Sequence, residues 1–349
     1  MLSEYSKLII DQTMGDLTVN RYLSMKNLQQ LYQFLENQSY LVQNVTMKQC
    51  KKSFPNNDFI STSLHKKTNQ YNKCLQLNWL LMVDKNKIHK NKIHCSLILY
   101  STSYDKINPK LIQSLVDCVS FIASFSNQCN HYKIHFVPLD DKKKINPSTK
   151  SLTKHMINSG CSYKSGEEFV ISCWRLEEYM KVIFHECIHS FIPHKEHTNK
   201  KLLEKYKNRY QLISQQINFE ESFVEVWARI IHCYYVSRLY PVNIPYQYFC
   251  SLLSVEHQYA IQQSFKLRQL KEKHQLDLDQ HTNVTSYYLI SAEILQDLNS
   301  FLSFTKEFDY FNLTDSERLY SFLNQLKKIK LKKNKKKDNS LRMTAIQLK

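Results

Sequence analysis

The residues best suited to chemistry are His185, Glu186 and His189, which lie in the segment His-Glu-Cys-Ile-His. In a helix, residues four apart lie one turn apart on the same face, so both imidazoles can reach one metal ion at about 2 Å. Glu186 is rotated off that line, toward the position that a water molecule would occupy. There its carboxylate could take a proton from the water and deliver it to a leaving group. The spacing predicts a catalytic site with Zn2+ as cofactor and Glu186 as general base.

Residues 176–191 form an amphipathic pattern that predicts a helix around this motif. Glu177 and Glu178 fall in its expected first turn, where negative charge suits the helix dipole, and Pro193 should end it. At 100° per residue, one side of the helix collects the apolar residues Met180, Ile183, Phe184, Cys187 and Phe191. We therefore expect this side to pack on a sheet and both histidines to face a cleft.

A catalytic zinc site requires a third protein ligand. His194 and His197 are near in sequence, but neither has the spacing of the extended histidine motif. Glu221 is the preferred candidate, because it falls within the apolar stripe formed by Ile217, Val224, Ala228, Ile231 and Tyr235. A carboxylate on a buried stripe needs a cation partner. Glu220, beside a second apolar stripe, is the competing candidate, and both acids could instead simply solvate a helix face.

Glu225 follows Glu221 by one helical turn, and like charges at this spacing repel each other. The repulsion is relieved if Glu221 binds zinc and Glu225 accepts the N–H of a ligand histidine, with His185 as the expected donor. The predicted metal ligands are therefore His185, His189 and Glu221, and Glu225 is the predicted supporting acid.

Hydrophobic periodicity predicts an α+β fold, in which a mixed twisted sheet packs on the motif helix and a mainly helical C-terminal subdomain follows. The predicted strands are residues 75–83, 94–101, 131–137 and 169–174. Residues 139–167 are polar and are expected to be irregular. The predicted helices are residues 21–38, 108–126, 176–191, 200–238, 246–274, 284–304 and 315–330.

These elements divide the chain into four predicted segments. Residues 1–72 form an N-terminal helical region and linker, and residues 73–198 carry the sheet and the motif helix. Residues 199–326 form a helical subdomain with the glutamate helix. Residues 327–349 form a basic tail that is expected to be disordered.

Composition narrows the class of protein. The 349 residues are 42% hydrophobic and 12% aromatic, which excludes a disordered chain. The net charge is +17, and the lysines of residues 327–337 supply about half of it. This basic stretch could bind nucleic acid or an acidic partner, act as a nuclear address, or remain a solvated tail.

The ten cysteines include no Cys-x-x-Cys pair, so we expect reduced thiols and no thiolate metal site. The N-terminus lacks the pattern of a signal peptide, and the apolar runs are too short to span a bilayer. The expected location is therefore intracellular, not secreted and without membrane contact.

The motif followed by a glutamate helix resembles the gluzincin branch of zinc metallopeptidases. More narrowly, residues 158–160, 175–182 and 221–228 are similar to zincin-like proteins of large eukaryotic DNA viruses. The likeness spans residues 75–300. It implies a zincin-like fold, zinc held by two histidines and a downstream glutamate, and a viral protein in the cytoplasm or nucleus of a host cell. The usual Asn-Glu-x-x-x-Asp motif of the branch is not reproduced, since Asn218 precedes Glu221 by three positions.

The expected activity is that of a zinc metallopeptidase acting on a peptide or protein. Residues 169–174 are expected to be an edge strand along which the substrate lies. The resemblance implies an oxyanion donor on a later helix, for which Tyr287, Tyr288 and His257 are candidates and Tyr288 is preferred. The alternatives are a basic nucleic-acid-associated or viral structural protein, and a zincin-shaped protein whose metal has only a structural role.

Overall fold

The structure is a computed structural model that describes residues 3–4, 6–7, 19–55, 62–85, 89–126, 128–145, 151–192, 199–240, 244–278, 282–329 and 340–347. Two compact units are present. The sheet unit comprises residues 36–142 and 158–191, and the helical unit comprises residues 1–35, 143–157 and 192–349. These units group the chain differently from the four predicted segments, because the N-terminal helices belong to the helical unit.

The described chain contains both strands and helices. The strands are β1 (Tyr40–Lys51), β2 (Lys73–Lys85), β3 (His89–Ser101), β4 (His131–Phe136), β5 (Gly160–Ser165) and β6 (Glu168–Cys173). The α-helices of the described residues are α1 (Val19–Leu23), α2 (Lys26–Glu36), α3 (Thr62–Thr68), α4 (Pro109–Ala123), α5 (Lys154–Ile157), α6 (Tyr179–Ile188), α7 (Lys200–Tyr210), α8 (Glu220–Leu239), α9 (Pro245–His274), α10 (Ser291–Gln296), α11 (Leu298–Lys306) and α12 (Ser316–Gln325). Short 3-10 turns span Tyr104–Lys106 and His189–Phe191, and a π-helix spans Thr285–Ile290. The predicted α+β class is confirmed.

The sheet has the strand order β1-β2-β3-β4-β6-β5. Strands β3, β4 and β6 are parallel to one another, whereas β1, β2 and β5 run antiparallel to their neighbours. Alternation places five side chains of β2 on its buried face, namely Leu75, Leu77, Trp79, Leu81 and Val83. Helix α4 covers this face, and the Trp79 indole donates a hydrogen bond to the Ser120 hydroxyl of α4 at 2.9 Å.

The position of the strand at residues 169–174 differs from the prediction. This strand, β6, lies between β4 and β5, so it is not an edge. The edge is β5, which lies in the segment predicted to be irregular. Its residues are mainly polar, as expected for a terminal strand with one face toward solvent, and this explains why hydrophobic periodicity did not indicate it.

Strand β1 forms the opposite edge and was also not predicted, since Leu41, Val45 and Met47 are more than half exposed and give no buried period. Cys50 of β1 lies directly opposite Cys74 of β2, with their Cα atoms 5.2 Å apart, and a disulfide joins them. The expectation that all cysteines are reduced is therefore wrong for this pair. Directly paired residues of antiparallel strands are close enough to be bridged.

The helical unit contains α8 and α9, and most residues of α8 are buried. The single helix predicted at residues 200–238 is in fact two helices, α7 and α8. Helix α7 ends at Gln211, whose backbone φ of 53° is left-handed and cannot continue the helix. At its other end, the Asn199 side chain accepts a hydrogen bond from the backbone N–H of Leu202 at 3.0 Å.

The C-terminal residues 341–346 are buried in the helical unit, although a disordered tail was expected there. The backbone N–H of Leu341 donates to the Lys143 carbonyl at 2.9 Å, and the Tyr288 hydroxyl donates to the Leu341 carbonyl at 2.6 Å. The segment has only four apolar residues, but all four are buried, namely Leu341, Met343, Ala345 and Ile346. Residues 330–339, which hold most of the predicted lysines, lie outside the described residues. None of the described helices combines the length and apolar character needed to cross a bilayer.

One buried imidazole should make the sheet unit sensitive to acid. His135 of β4 is 8% exposed, and its Nδ1 lies 2.8 Å from the Tyr100 hydroxyl. Burial, reinforced by the charges of Lys133 and Lys52, lowers the pKa of His135 to about 4. In the unfolded chain the pKa of a histidine is about 6.5, so between these values the unfolded state binds a proton that the folded state does not.

The free energy of unfolding should therefore fall as the pH decreases from about 6.5 to about 4, by up to about 1.4 kcal/mol per pH unit from this residue. We expect His135→Gln to weaken this dependence in urea unfolding experiments. Thr46→Gln, at an exposed position of β1 that carries no titratable group, is the control and should leave it unchanged. Equal pH dependence in wild type and His135→Gln would contradict this assignment.

Candidate metal centre

Helix α6 carries the His-Glu motif and is buried along its whole length. The prediction that it starts at residue 176 is wrong, because Glu177 and Glu178 precede it. Glu178 has a left-handed backbone with φ of 62°, so the regular helix starts at Tyr179. His185 and Glu186 are 5% and 7% exposed. The motif therefore lies on a short helix that follows β6, as the sequence predicted.

His189 begins the 3-10 turn at the end of α6, and this turn is attached to the sheet. The Ser190 hydroxyl donates to the Cys187 carbonyl at 2.7 Å and lies 2.6 Å from the Tyr132 hydroxyl of β4. The His185 and His189 rings have centroids 5.1 Å apart. The change from α-helix to 3-10 geometry thus leaves both imidazoles side by side, which is the arrangement expected from their spacing.

Among the residues that the structure describes, His185, His189 and Glu221 form a group that could hold a metal ion. One ligand atom from each residue lies within 4.8 Å of the other two. Two of the three residues are buried, and His189 is partly exposed. The sequence placed these three side chains together from helical spacing and from the position of an acid on a buried stripe.

The donor set fits a late transition metal such as zinc. Imidazole nitrogen suits zinc, copper, iron and nickel, whereas calcium and magnesium prefer oxygen ligands alone. Two nitrogens and one carboxylate oxygen, with further coordination positions left open, are typical of catalytic zinc sites. The identity of the metal stays a prediction.

The two adjacent acids at the start of α8 have different partners. The Asn283 amide donates to Glu221 Oε1 at 3.0 Å, whereas the Tyr320 hydroxyl donates to Glu220 Oε1 at 2.6 Å. Glu221 belongs to the possible metal group, and Glu220 is held by the tyrosine of another helix. The preference for Glu221 over Glu220 agrees with this geometry. His194 and His197 lie outside the described residues.

Glu225 is fully buried and pairs with a cation on its own helix. Arg229 Nε donates to Glu225 Oε1 at 2.9 Å, and Arg229 Nη1 donates to Glu256 Oε1 at 2.7 Å. The Thr344 hydroxyl and the Ala345 N–H donate to the other oxygen of Glu256 at 2.7 and 2.9 Å. Burial raises the pKa of Glu256, and Arg229 opposes that shift. The predicted hydrogen bond from His185 to Glu225 stays a prediction.

Glu186 is contacted by β5, which sequence analysis did not foresee. The Ser162 hydroxyl donates to Glu186 Oε2 at 2.8 Å, and Gly160 lies against the same side chain. The thiols of Cys161 and Cys173 are close enough for the Glu186 charge to raise their pKa values, although burial is the larger cause. These thiols therefore stay protonated. The presence of Gly160, one of three glycines in the chain, was the available signal for a close approach.

The structure changes the order of the oxyanion-donor candidates. Tyr288 is 1% exposed and its hydroxyl donates to the Leu341 carbonyl, so it has a structural role. The His257 Nδ1 lies 2.5 Å from the Tyr22 hydroxyl. Tyr287 is the candidate near the metal group, since the Asn283 amide that binds Glu221 also lies 3.5 Å from the Tyr287 hydroxyl.

Comparison of the chain with protein-family models, with curated proteins and with solved structures gave no match. The assignment of the site therefore depends on the residues and distances described above.

The two acids at the start of α8 provide a matched pair for metal binding. Loss of a group that only supports a metal ligand typically weakens metal binding by about 10–100-fold. Replacing Glu221 by Gln should weaken zinc binding by more than this, because it removes a proposed ligand. Glu220→Gln should bind zinc as the wild type does, since Tyr320 and not the metal group engages that acid. Zinc affinity would be measured by competition with a chromogenic chelator. A greater loss for Glu220→Gln would reverse the assignment.

Replacing Arg229 by Met should destabilise the helical unit strongly. The substitution keeps much of the side-chain volume but leaves Glu225 and Glu256 without their cation, at a cost of about 3–5 kcal/mol. Arg318→Met removes a salt bridge to Glu307 whose side chains are 41% and 61% exposed, and should cost at most about 1 kcal/mol. Urea unfolding of zinc-free protein measures both changes. Similar values for the two variants would show that the buried network contributes little.

Proposed function

We propose that the protein is a metal-dependent hydrolase with zinc as its metal, and that it cleaves amide bonds in peptides or proteins. The observation that carries the proposal is the group of His185, His189 and Glu221, with ligand atoms within 4.8 Å of one another, next to the acid Glu186. A site with a purely structural role would have no need for a general base at that position. A zincin-like fold is part of the same proposal.

In this proposal His185, His189 and Glu221 hold the ion. When bound, zinc would supply a Lewis acid that polarises the substrate carbonyl and lowers the pKa of a water toward about 7. Glu186 accepts a proton from the attacking water as the oxygen adds to the carbonyl carbon. The same carboxylate then delivers the proton to the amide nitrogen as the carbon–nitrogen bond breaks. Tyr287 is the proposed hydrogen-bond donor to the carbonyl oxygen.

The proposal of a peptide substrate is supported by the terminal strand of the sheet. Strand β5 ends the strand order, and residues 163–168 at its outer end are exposed. An extended peptide can add to such an edge through main-chain hydrogen bonds. Because Ser162 of β5 contacts Glu186, a peptide paired with this strand would pass close to the general base. This role was predicted for residues 169–174 and is now proposed for β5.

The alternatives predict different results. A nucleic-acid-associated or viral structural protein would act through the basic stretch and would not need zinc. Lys327 and Lys328 are described, and the remaining lysines of residues 327–337 lie outside the described residues. A zincin-shaped protein with a structural metal would bind zinc but would cleave nothing.

Replacing Glu186 by Gln should abolish cleavage without loss of the metal. Gln is close in size but cannot accept the proton, so the rate should fall by about 100-fold to 10,000-fold. We expect zinc content to stay at the wild-type value, because Glu186 is not in the ligand group. The substrate would be a proteome-derived peptide library with products read by mass spectrometry, and zinc would be measured by atomic emission.

Glu204→Gln, at a 62% exposed position of α7, is the control and should keep both zinc and activity. Cleavage by Glu186→Gln at the wild-type rate would exclude the proposed mechanism. No cleavage of the library by zinc-loaded wild-type protein would contradict the peptidase assignment and favour a structural metal.

A further inference from the structure

Strand β5 makes two contacts with Glu186 that have not been given a function. The first is a hydrogen bond, since the Ser162 hydroxyl donates to Glu186 Oε2 at 2.8 Å. A hydrogen bond to an ionised carboxylate is about twice as strong as one between neutral groups, and it fixes the direction of the accepting oxygen. Ser162 is partly buried, so water competes for this contact less than at an open surface.

The second contact is the close approach of Gly160. A Cβ atom at this position would lie 2.9 Å from Glu186 Oε1 and 3.0 Å from Glu186 Cγ. It would also lie 2.7 Å from Cγ1 of Val182, which precedes Glu186 by one turn of α6. Such distances are shorter than carbon atoms tolerate, so any larger residue would displace the Glu186 side chain or α6. The absence of a side chain at residue 160 is therefore required by the present position of Glu186.

Both contacts come from one face of the strand. Residues 160 and 162 are two apart, so their side-chain positions point to the same side of the sheet. Gly160 lies against one carboxylate oxygen and Ser162 holds the other. A glutamate has three rotatable side-chain bonds, and without these contacts it could sample several rotamers. Strand β5 thus restricts the carboxylate to one position and one orientation.

We propose that Ser162 is a positioning residue for Glu186 and that Gly160 provides the space which that position requires. The inference rests on the proposed function, because it concerns the acid assigned as general base. Ser162 does not touch the reacting atoms and acts through Glu186. Strand β5, which is proposed to pair with the peptide, therefore also fixes the Glu186 carboxylate. The position of the substrate is thereby linked to the position of the general base.

The test uses the zinc-loaded full chain with Ser162→Ala and Ser162→Thr. Ala removes the hydroxyl, and we expect kcat to fall about 10-fold, the effect of losing one hydrogen bond to a charged group. KM and zinc affinity should stay within about twofold, because neither the edge of β5 nor the metal ligands change. Thr retains a hydroxyl and suits a strand, so it should recover most of kcat.

Two controls separate positioning from a general effect on the fold. Ser39→Ala, at an exposed position beside β1 on the opposite edge of the sheet, should leave kcat unchanged. In a Glu186→Gln background, Ser162→Ala should cause no further loss, because the residue acts only through the Glu186 carboxylate. An equal loss of kcat in both backgrounds, or no loss in Ser162→Ala of an active enzyme, would overturn the inference and leave the proposed function intact.

A second readout does not depend on activity. In a crystal structure of zinc-loaded Ser162→Ala, the Glu186 carboxylate should occupy more than one orientation, and in Gly160→Ala it should be displaced from β5. If the wild-type protein cleaves no peptide, the proposed function fails, and these structures still decide the positioning. An unchanged, single orientation of Glu186 in Ser162→Ala would overturn it, even if Gly160→Ala does not fold.

Discussion

Burial of the Glu221 carboxylate is the constraint on which the arrangement of the site depends. This side chain is 8% exposed, and one of its oxygens accepts a hydrogen bond from the Asn283 amide. Withdrawing a carboxylate from water is unfavourable unless charge or hydrogen bonds compensate it. A divalent cation shared with His185 and His189 would supply that compensation, in addition to the hydrogen bond from Asn283.

Helix α8 also carries a second buried carboxylate, Glu225, which is stabilised by an arginine. Glu225 lies one turn after Glu221, and Arg229 lies one turn further, where its guanidinium donates a hydrogen bond to Glu225. Arg229 also reaches Glu256 of α9, which ties the two longest helices of the described chain together through a fully buried ion pair. Such pairs seldom add much net stability, but loss of one member is costly. The network therefore restricts the rotation of α8 and, through it, the direction of Glu221.

The sequence predicted the parts of the molecule that depend on strong periodicity or on motif spacing. Strands β2, β3, β4 and β6 and helix α4 follow from buried apolar alternation and a capped start, and the metal group follows from His-Glu-x-x-His and an acid on an apolar stripe. Strands β1 and β5 were not found, because each is an edge whose side chains are largely exposed. Contacts such as those of Ser162 with Glu186 and of Asn283 with Glu221 join residues 24 and 62 positions apart. No local pattern specifies pairings at that separation. The disulfide between Cys50 and Cys74 is of the same kind, since it depends on the register of β1 against β2.

The buried segment after the lysine-rich stretch has a practical consequence for studying the charge of this chain. A truncation that removes everything from residue 327 onward would delete the lysines, but it would also remove Thr344 and Ala345, two of the hydrogen-bond donors to Glu256. A loss of binding or activity in such a shortened protein would then have two causes, the missing lysines and the missing hydrogen bonds to the buried Glu256. Exchanging the lysines for glutamine in the intact chain keeps the closing segment in its place. Residues 341–346 belong to the interior of the helical unit, so purification tags are better attached away from this segment.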